Sequence, residues 1–274
     1  MPDAKTRPIG LAALTILELA PPDMVTCAAE AGYDTIGLRI IPGTPEEAAY
    51  PIFGDTPMRR ETARRLAEGG IRLLDIEIFR LKPETDLAEF IPALETGAAL
   101  GATEALVAGH IPDEGELAER FGAFCDLAAR FGIAAGLEAM PWTEAKNFAQ
   151  AARIVAAAGR PNGGILVDPI HFDRGGSRPE EIASVPRARL RYAQLCDAPA
   201  ERPRDLETLL LQARAERLMP GDGGLDLLGI LRALPRDIPL SLEVPMKMLA
   251  KTVPAVERAR RMLAKTRTLL QQLD

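Results

Sequence analysis

The chain has 274 residues, of which 47% are hydrophobic and 26% are charged, and its formal net charge is −6 at pH 7. This composition excludes an intrinsically disordered protein, and the negative charge argues against a general attraction to nucleic acid or to anionic lipid. The length allows two domains, or one domain if the chain is an α/β barrel.

The start of the chain and its three cysteines bear on its location. Residues 1–10 lack the hydrophobic region of a signal peptide, and no apolar stretch is long enough to span a bilayer. The cysteines have no close spacing, which disfavours a disulfide framework or a thiolate metal site. We therefore expect a cytoplasmic protein that is neither exported nor anchored to a membrane.

Short β-rich runs alternate with helical segments along the chain. The runs, in order, are PIGLAALTIL, YDTIGLRII, IRLLDIEIF, ATEALVAGH, IAAGLEAM, GGILVD, LRYAQLCD and IPLSLEV. Helical segments tend to end in a glycine just before the next strand, as left-handed C-caps require, at Gly32, Gly70, Gly101 and Gly132. Strands joined by crossover helices form parallel sheets, so the eight units predict a single (β/α)8 TIM barrel that makes one domain of residues 1–274.

The connection between the seventh and eighth strands, at residues 198–235, is longer than any other. Barrel enzymes build their sites from the loops that follow the strands. We therefore expect this long connection to cover the mouth of the barrel.

Polar side chains stand near the carboxyl ends of four consecutive predicted strands, namely Glu138, Asp168, Gln194 and Glu243. Three carboxylates brought together repel one another and take up protons unless a divalent cation keeps them ionised. Oxygen donors suit Mg²⁺ or Mn²⁺ better than Zn²⁺. We predict that these four side chains bind one divalent metal ion; the alternative is that each carboxylate is a helix N-cap or a loop anchor.

At these residues the chain resembles the xylose-isomerase-like TIM-barrel superfamily, which includes sugar phosphate isomerases and epimerases, dehydratases and endonuclease IV. The matching elements span nearly the whole chain and are "GH" at His110, "LE" at Glu138, "VDPIH" with Asp168 and His171, "D" at Asp197, "RLMPGDGGLD" from Arg217, and "LEV" at Glu243. Endonuclease IV is excluded, because its three-metal site needs many histidines and this chain has two.

The resemblance to the single-metal epimerases of this superfamily implies that Glu138, Asp168, Gln194 and Glu243 bind the metal and that both glutamates transfer protons. Mn²⁺ or Mg²⁺ is favoured, and Co²⁺ or Zn²⁺ is possible. Gln194 stands where the family usually has histidine. This departure weakens metal binding, moves the preference toward harder ions, or marks a barrel that has lost its chemistry.

His171 and His110 are the two histidines of the chain. His171 lies three residues after Asp168, and its unperturbed pKa suits proton transfer near the metal, so we predict a catalytic role. His110 ends the fourth strand and is expected to contact the substrate. The alternative for both is a hydrogen-bonded structural histidine.

Other side chains near strand ends are predicted to bind the substrate. Cations around one opening would hold a carboxylate or phosphate, and a solvated rim is the alternative; these are Arg39, Arg80, Arg217 and Lys247. Trp142 would stack on a sugar face or simply pack in its loop. Glu77 lies at the end of the third strand, and Asp197 is included because of the resemblance.

We expect first a metal-dependent isomerase or epimerase of a ketose or a related polyhydroxy carbonyl compound, working through an enediolate. The second hypothesis is a lyase of the inosose or dehydroshikimate dehydratase type, which begins with the same proton abstraction and then expels a β-leaving group. The third is a non-catalytic barrel with a degenerate metal site. The expected partner is a small sugar-like molecule, and a homodimer is possible because such relatives are commonly dimers.

Overall fold

The computed structural model describes residues 7–273, and within them eight parallel strands close into a barrel in which each strand pairs with the next and β8 pairs with β1. The strands are β1 Ile9–Leu11, β2 Thr35–Arg39, β3 Arg72–Leu81, β4 Glu104–Gly109, β5 Ala134–Glu138, β6 Gly163–Val167, β7 Leu190–Leu195 and β8 Leu240–Leu242. The predicted (β/α)8 TIM barrel is confirmed. The single domain over residues 1–274 stays a prediction, since residues 1–6 and 274 lie outside the described part.

Helices surround the barrel and connect its strands. They are α1 Pro21–Ala31, α2 Pro57–Gly69, α3 Ile91–Leu100, α4 Glu114–Ala129, α5 Phe148–Ala158, α6 Pro169–Arg174, α7 Pro179–Ala183, α8 Leu206–Arg214, α9 Leu227–Ala233, α10 Lys247–Ala250 and α11 Ala255–Leu270. In the described part of the chain, no helix is both long and apolar enough to cross a membrane.

Glycines end several of these helices as the sequence predicts. Gly32 after α1 has φ 88° and Gly101 after α3 has φ 86°, a region in which other residues are strained. In each case the glycine N–H donates to carbonyls of the last helical turn. The chain is therefore turned back toward the barrel at a fixed point before the next strand begins.

The main hydrophobic core lies between the strands and the helices. Phe79 of β3 packs against Phe90 and Phe124, with ring centroids 5.1 Å and 5.0 Å away. Aromatic rings in edge-on or tilted contact add to the free energy gained from burial of their apolar surface. We call Phe79, Phe90 and Phe124 the aromatic cluster.

A smaller apolar layer fills the inside of the barrel, with Leu74, Ile78, Leu106, Leu166 and Tyr192 among its members. Its neighbours include buried polar side chains, such as Asp75. A Cβ on Gly37 of β2 would lie 2.6 Å from Oδ1 of Asp75, so a glycine there makes room for that carboxylate. The floor beneath the mouth is thus only partly apolar.

The long connection between β7 and β8 contains α8 and α9. Ala213 and Arg214 at the end of α8, and Arg217 just after it, line the cavity at the mouth of the barrel. The expectation that this connection covers the mouth is therefore met. The three cysteines are buried and free.

We predict that Phe79→Ala lowers the free energy of unfolding by about 3–5 kcal/mol, because the substitution leaves a cavity in the aromatic cluster. Urea denaturation followed by circular dichroism measures this change. Leu211→Ala is the control, since Leu211 is 54% exposed and its loss should change stability by less than about 0.5 kcal/mol. Equal effects of the two substitutions would contradict the packing described for Phe79.

Candidate active site at the mouth of the barrel

A cavity of about 280 Å³ opens at the carboxyl ends of the strands. Most of the site residues predicted from the sequence line this cavity, namely Arg39, Glu77, His110, Glu138, Trp142, His171, Arg217, Glu243 and Lys247. Asp168 and Gln194 are buried in contact with residues of this set, whereas Asp197 contacts a different part of the fold.

Glu138, Asp168 and His171 form a buried cluster whose potential ligand atoms lie within 4.8 Å of one another. Nε2 of His171 is 3.7 Å from Oε1 of Glu138 and 3.7 Å from Oδ2 of Asp168. The local sequence explains this geometry. Asp168 caps α6 by accepting a hydrogen bond from the N–H of Ile170, and the first turn of the helix brings His171 back over the cap. Asp168 is thus an N-cap and a member of the cluster at once.

Arg217 joins Asp168 to Glu243 across the mouth. Its Nη1 donates to Oδ2 of Asp168 at 2.6 Å, and its Nη2 lies 2.7 Å from Oε2 of Glu243. Its Nε donates to the carbonyl of Ala213 at 2.7 Å, which fixes the guanidinium to the end of α8. The side chain is almost fully buried and all three of its nitrogens are engaged.

Gln194 lies beside Glu243 and donates from Nε2 to its Oε1 at 3.0 Å. This orientation leaves Oε1 of Gln194 buried and without a hydrogen-bond partner in the described residues. Oε1 of Glu138 is likewise buried and unpaired there. Buried polar atoms are rarely left unpaired. Two unpaired carbonyl or carboxylate oxygens among acidic neighbours are suitable donors for a divalent cation, so the residues present fit a metal ion.

Burial governs the ionisation of the acidic groups. It raises the pKa of Glu138 well above its usual value, and the charges of Glu243 and Asp168 raise it further. Burial also raises the pKa of Glu243 to about 7, although Arg217 opposes this shift. For Asp168 burial acts in the same direction, but the charge of Arg217 and the electrostatic interaction with His171 outweigh it and hold the pKa of Asp168 below its usual value.

His171 stays neutral at physiological pH, because burial lowers its pKa to about 4 even though Asp168 acts in the opposite direction. The ring of Trp142 packs edge-on against the imidazole, with centroids 4.9 Å apart. The other predicted histidine, His110, lines the cavity with an unpaired, buried Nε2, and burial together with nearby Arg80 lowers its pKa.

The cations at the mouth fall into two groups. Arg39 is engaged, since it contacts Oε1 of Glu47 at 3.1 Å and Oε2 of Glu77 at 3.3 Å. Arg80 and Arg214 line the cavity, and neither has an ion pair with any residue between 7 and 273. Burial lowers the pKa of each, repulsion from Arg39 lowers the pKa of both further, and Arg214 adds to the shift of Arg80.

Arg214 was missed by the sequence analysis. Its guanidinium lies 5.3 Å from the ring centre of Trp142, within cation–π range. The signal that could have found it is its place in the long connection, three residues before Arg217.

Asp197 anchors the loop that follows α8. Its Oδ2 accepts hydrogen bonds from the N–H groups of Gly221 and Gly223, both at 3.0 Å, and its Oδ1 accepts from Ala198 and Leu225. It does not line the mouth cavity. The substrate contact proposed for Asp197 is therefore not supported by its position, because its oxygens are occupied by backbone donors.

A family model described as xylose isomerase-like TIM barrel matches residues 25–267 of the chain. Two curated relatives are 3-dehydroshikimate dehydratases. That of Pseudomonas aeruginosa is 33% identical over 132 residues, which are 47% of this chain and 20% of the relative. That of Pseudomonas putida is 26% identical over 241 residues, which are 81% of this chain and 36% of the relative. The chain thus corresponds to a minor part of each relative's length.

Solved structures share the fold at low sequence identity. A xylose isomerase-like TIM barrel/4-hydroxyphenylpyruvate dioxygenase fusion protein has a TM-score of 0.84 at 22% identity, covering 98% of this chain and 43% of that chain. The IOLI protein with a bound zinc atom has a TM-score of 0.78 at 20% identity over 97% of this chain and 98% of that chain. D-allulose 3-epimerase from Methylomonas sp. has a TM-score of 0.68 at 17% identity, covering 98% of each chain.

We predict that Arg217→Met lowers the free energy of unfolding by about 3–5 kcal/mol in chelator-treated protein, because it leaves two buried carboxylates without their cation. Urea denaturation at pH 7 measures the effect. Arg153→Met is the matched control, since the Arg153 side chain is 61% exposed in its pair with Glu114 and exposed pairs contribute about 0–1 kcal/mol. If the two variants are equally stable, Arg217 does not hold these carboxylates in solution.

Proposed function

Because the chain belongs to the xylose isomerase-like TIM barrel family, we propose that it is a metal-dependent lyase that removes water from a small cyclic hydroxy-carbonyl acid of the 3-dehydroshikimate kind. The two dehydratase relatives support this reaction class. The isomerase or epimerase function that the sequence analysis placed first becomes the second candidate, supported by two buried glutamates with raised pKa values.

The observation that carries the proposal is the pair of uncommitted cations, Arg80 and Arg214, in the same cavity as the Glu138, Asp168 and His171 cluster. Like charges that are partly removed from water repel one another unless an anion joins them. Guanidinium groups bind carboxylates through paired charge-assisted hydrogen bonds. A carboxylate-bearing substrate satisfies both arginines, whereas a neutral ketose leaves them unpaired.

Glu138, Asp168, Gln194 and Glu243 would hold the metal ion. When bound, Mn²⁺ or Mg²⁺, or alternatively Co²⁺ or Zn²⁺, supplies a Lewis acid that stabilises negative charge on the carbonyl oxygen of the substrate. The unpaired oxygens of Glu138 and Gln194 support this ligand set. The bridging of Asp168 and Glu243 by Arg217 keeps the remaining carboxylates near each other and oriented.

His171 is the group we assign to proton transfer. Its neutral imidazole accepts the proton from the carbon beside the carbonyl, and the electron pair of that C–H bond forms a new C=C bond as the β-hydroxyl leaves. The same imidazolium returns the proton to the departing hydroxide, so one water molecule is released and the enzyme is unchanged. Asp168 and Glu138, each 3.7 Å from Nε2, stabilise the transient positive charge. Transfer of a further ring proton to the carbonyl oxygen, a keto–enol tautomerisation, makes the product aromatic.

The test is incubation of 3-dehydroshikimate with chelated protein and with protein resupplied with Mg²⁺ or Mn²⁺. We expect metal-dependent growth of the ultraviolet absorbance of an aromatic product. A parallel reaction with D-allulose in D₂O tests the second candidate. Deuterium in recovered or isomerised sugar, with no aromatic product from the acid, would overturn the lyase assignment.

We predict that Arg80→Gln lowers kcat/KM for the acidic substrate by about tenfold to a hundredfold, because it removes charge-assisted hydrogen bonds to the carboxylate. Steady-state kinetics at fixed metal concentration measures the loss. Arg72→Gln is the matched control, since Arg72 begins the same strand, β3, and is exposed. An unchanged kcat/KM in Arg80→Gln would exclude this arginine from substrate binding.

We also predict that Gln194→His strengthens binding of Zn²⁺ or Co²⁺ more than binding of Mg²⁺, since imidazole nitrogen suits borderline metals better than an amide oxygen. Calorimetric titration of each metal into wild type and variant gives the ratio of affinities. Unchanged ratios would show that Gln194 does not face the ion, and that Glu138, Asp168 and Glu243 hold it alone.

A further inference from the structure

A second cavity, of about 370 Å³, adjoins the mouth cavity and falls within the size range of small-molecule sites. Its walls come from the segments that follow β1, β2 and β8, and no member of the Glu138, Asp168 and His171 cluster lines it. We call it the side chamber and define it by its apolar walls, Leu14, Leu17, Ala48, Pro245, Met246 and Ala250.

The side chamber communicates with the mouth cavity, because the two share lining residues. Leu14 and Leu17 form the apolar part of the shared wall, and its charged part consists of Glu46, Glu47, Arg214 and Lys247. Met246 lines only the side chamber, whereas Met140 lines only the mouth cavity. A ligand in the side chamber therefore lies near Met246, and a ligand in the mouth cavity lies near Met140, so the two positions can be distinguished.

Most polar and charged groups of the side chamber are already engaged, although Nε of the buried Arg258 has no hydrogen-bond partner in the described residues. The hydroxyl of Thr15 donates to one backbone carbonyl at 2.7 Å and accepts from a backbone N–H at 2.8 Å. Arg258 pairs with Glu18, and Glu47 is held by Arg39. A sugar would find few free partners for its hydroxyl groups here, and burying those groups unpaired is unfavourable.

The shared wall carries two acids, Glu46 and Glu47, but Glu47 is held by Arg39, so the charge that remains there favours an anion. Lys247 and Arg214 make no ion pair with any described residue, and Arg214 already lies over Trp142 on the reaction side. Lys247 is thus the cation available to the side chamber. Glu46 is the acidic neighbour left at the rim, and both Glu46 and Lys247 are exposed to solvent.

We propose that the side chamber binds an aromatic carboxylate, with the ring against the apolar walls and the carboxylate at Lys247. Apolar walls and one cation at the edge match a flat hydrophobic body with a single charge. Because Lys247 and Arg214 also line the mouth cavity, an occupied side chamber weakens the binding of an anionic substrate. The elimination proposed above ends in an aromatic carboxylate, so its product is a ligand of this class; this link and the effect on an anionic substrate rest on the proposed function.

The experiment uses protein labelled with ¹³C at the methionine methyl groups and needs no turnover. 4-Hydroxybenzoate is titrated in the absence of substrate, and the Met246 and Met140 signals are assigned by single Met→Leu substitutions. We expect a saturable shift of Met246 and a fixed Met140. A shift of Met140, alone or together with Met246, would place the ligand in the mouth cavity and overturn the proposal, as would no shift of either signal.

Two comparison ligands test whether the side chamber requires both an aromatic ring and a negative charge. 4-Hydroxybenzyl alcohol keeps the ring but lacks the charge, and glucuronate keeps the charge but replaces the ring with hydroxyl groups. Each should bind at least about tenfold more weakly than 4-hydroxybenzoate. Equal affinity for either compound would show that the side chamber does not select an aromatic anion.

Ala48→Trp fills the side chamber from its exposed wall, and the adjacent Ala49→Trp is the matched control because Ala49 lines neither cavity. We expect Ala48→Trp to weaken 4-hydroxybenzoate by about tenfold or more, and Ala49→Trp to leave it unchanged. If Ala48→Trp does not fold, Ala250→Phe takes its place, because it narrows the side chamber from α10. Wild-type affinity in a folded, filled variant would overturn the site, whether or not the protein turns over 3-dehydroshikimate.

Discussion

The burial of several carboxylates at one end of the barrel sets the conditions under which the rest of the mouth is arranged. Glu77, Glu138, Asp168 and Glu243 are each at most 3% exposed. Charges without access to water are stable only when a cation or a proton compensates them. Arg217 compensates Asp168 and Glu243, Arg39 compensates Glu77, and Glu138 takes up a proton more readily than an ordinary glutamate. Three of these carboxylates thus pair with an arginine, whereas Glu138 is compensated through its raised pKa.

As a result, the floor and the walls of the mouth cavity carry charges of opposite sign. Its floor is acidic and suited to a cation, while Arg80, Arg214 and Lys247 leave uncommitted positive charge on the walls. A molecule with a carbonyl at one end and an acidic group at the other would be oriented by both fields before any chemistry occurs. Trp142, between Arg214 and His171, links the two regions by ring contacts.

The sequence predicted the barrel and the family correctly, because strand and helix patterns recur eight times and because the strand ends carry the polar residues. Glu138, Asp168, Gln194 and Glu243 do converge, since the ends of neighbouring parallel strands meet at one rim. Their binding of metal remains a prediction. What sequence position could not provide was the partner of each side chain. Asp197 was expected to contact the substrate, yet its oxygens accept hydrogen bonds from backbone N–H groups of a distant loop. Arg217 lines the cavity as expected of a substrate contact, but its pairing with Asp168 and Glu243 was not predicted.

The connection between β7 and β8 contributes both to the wall of the mouth cavity and to the ion pairs of its floor. Arg214 on its outer side faces the cavity, and Arg217, one turn of chain later, ties the floor together through Asp168 and Glu243. Asp197 fastens the return of the same connection to β7. A change in the length or course of this connection that moves Arg214 therefore also acts on the cation that Asp168 and Glu243 share, so the wall of the mouth cavity and its floor are coupled through one segment of chain.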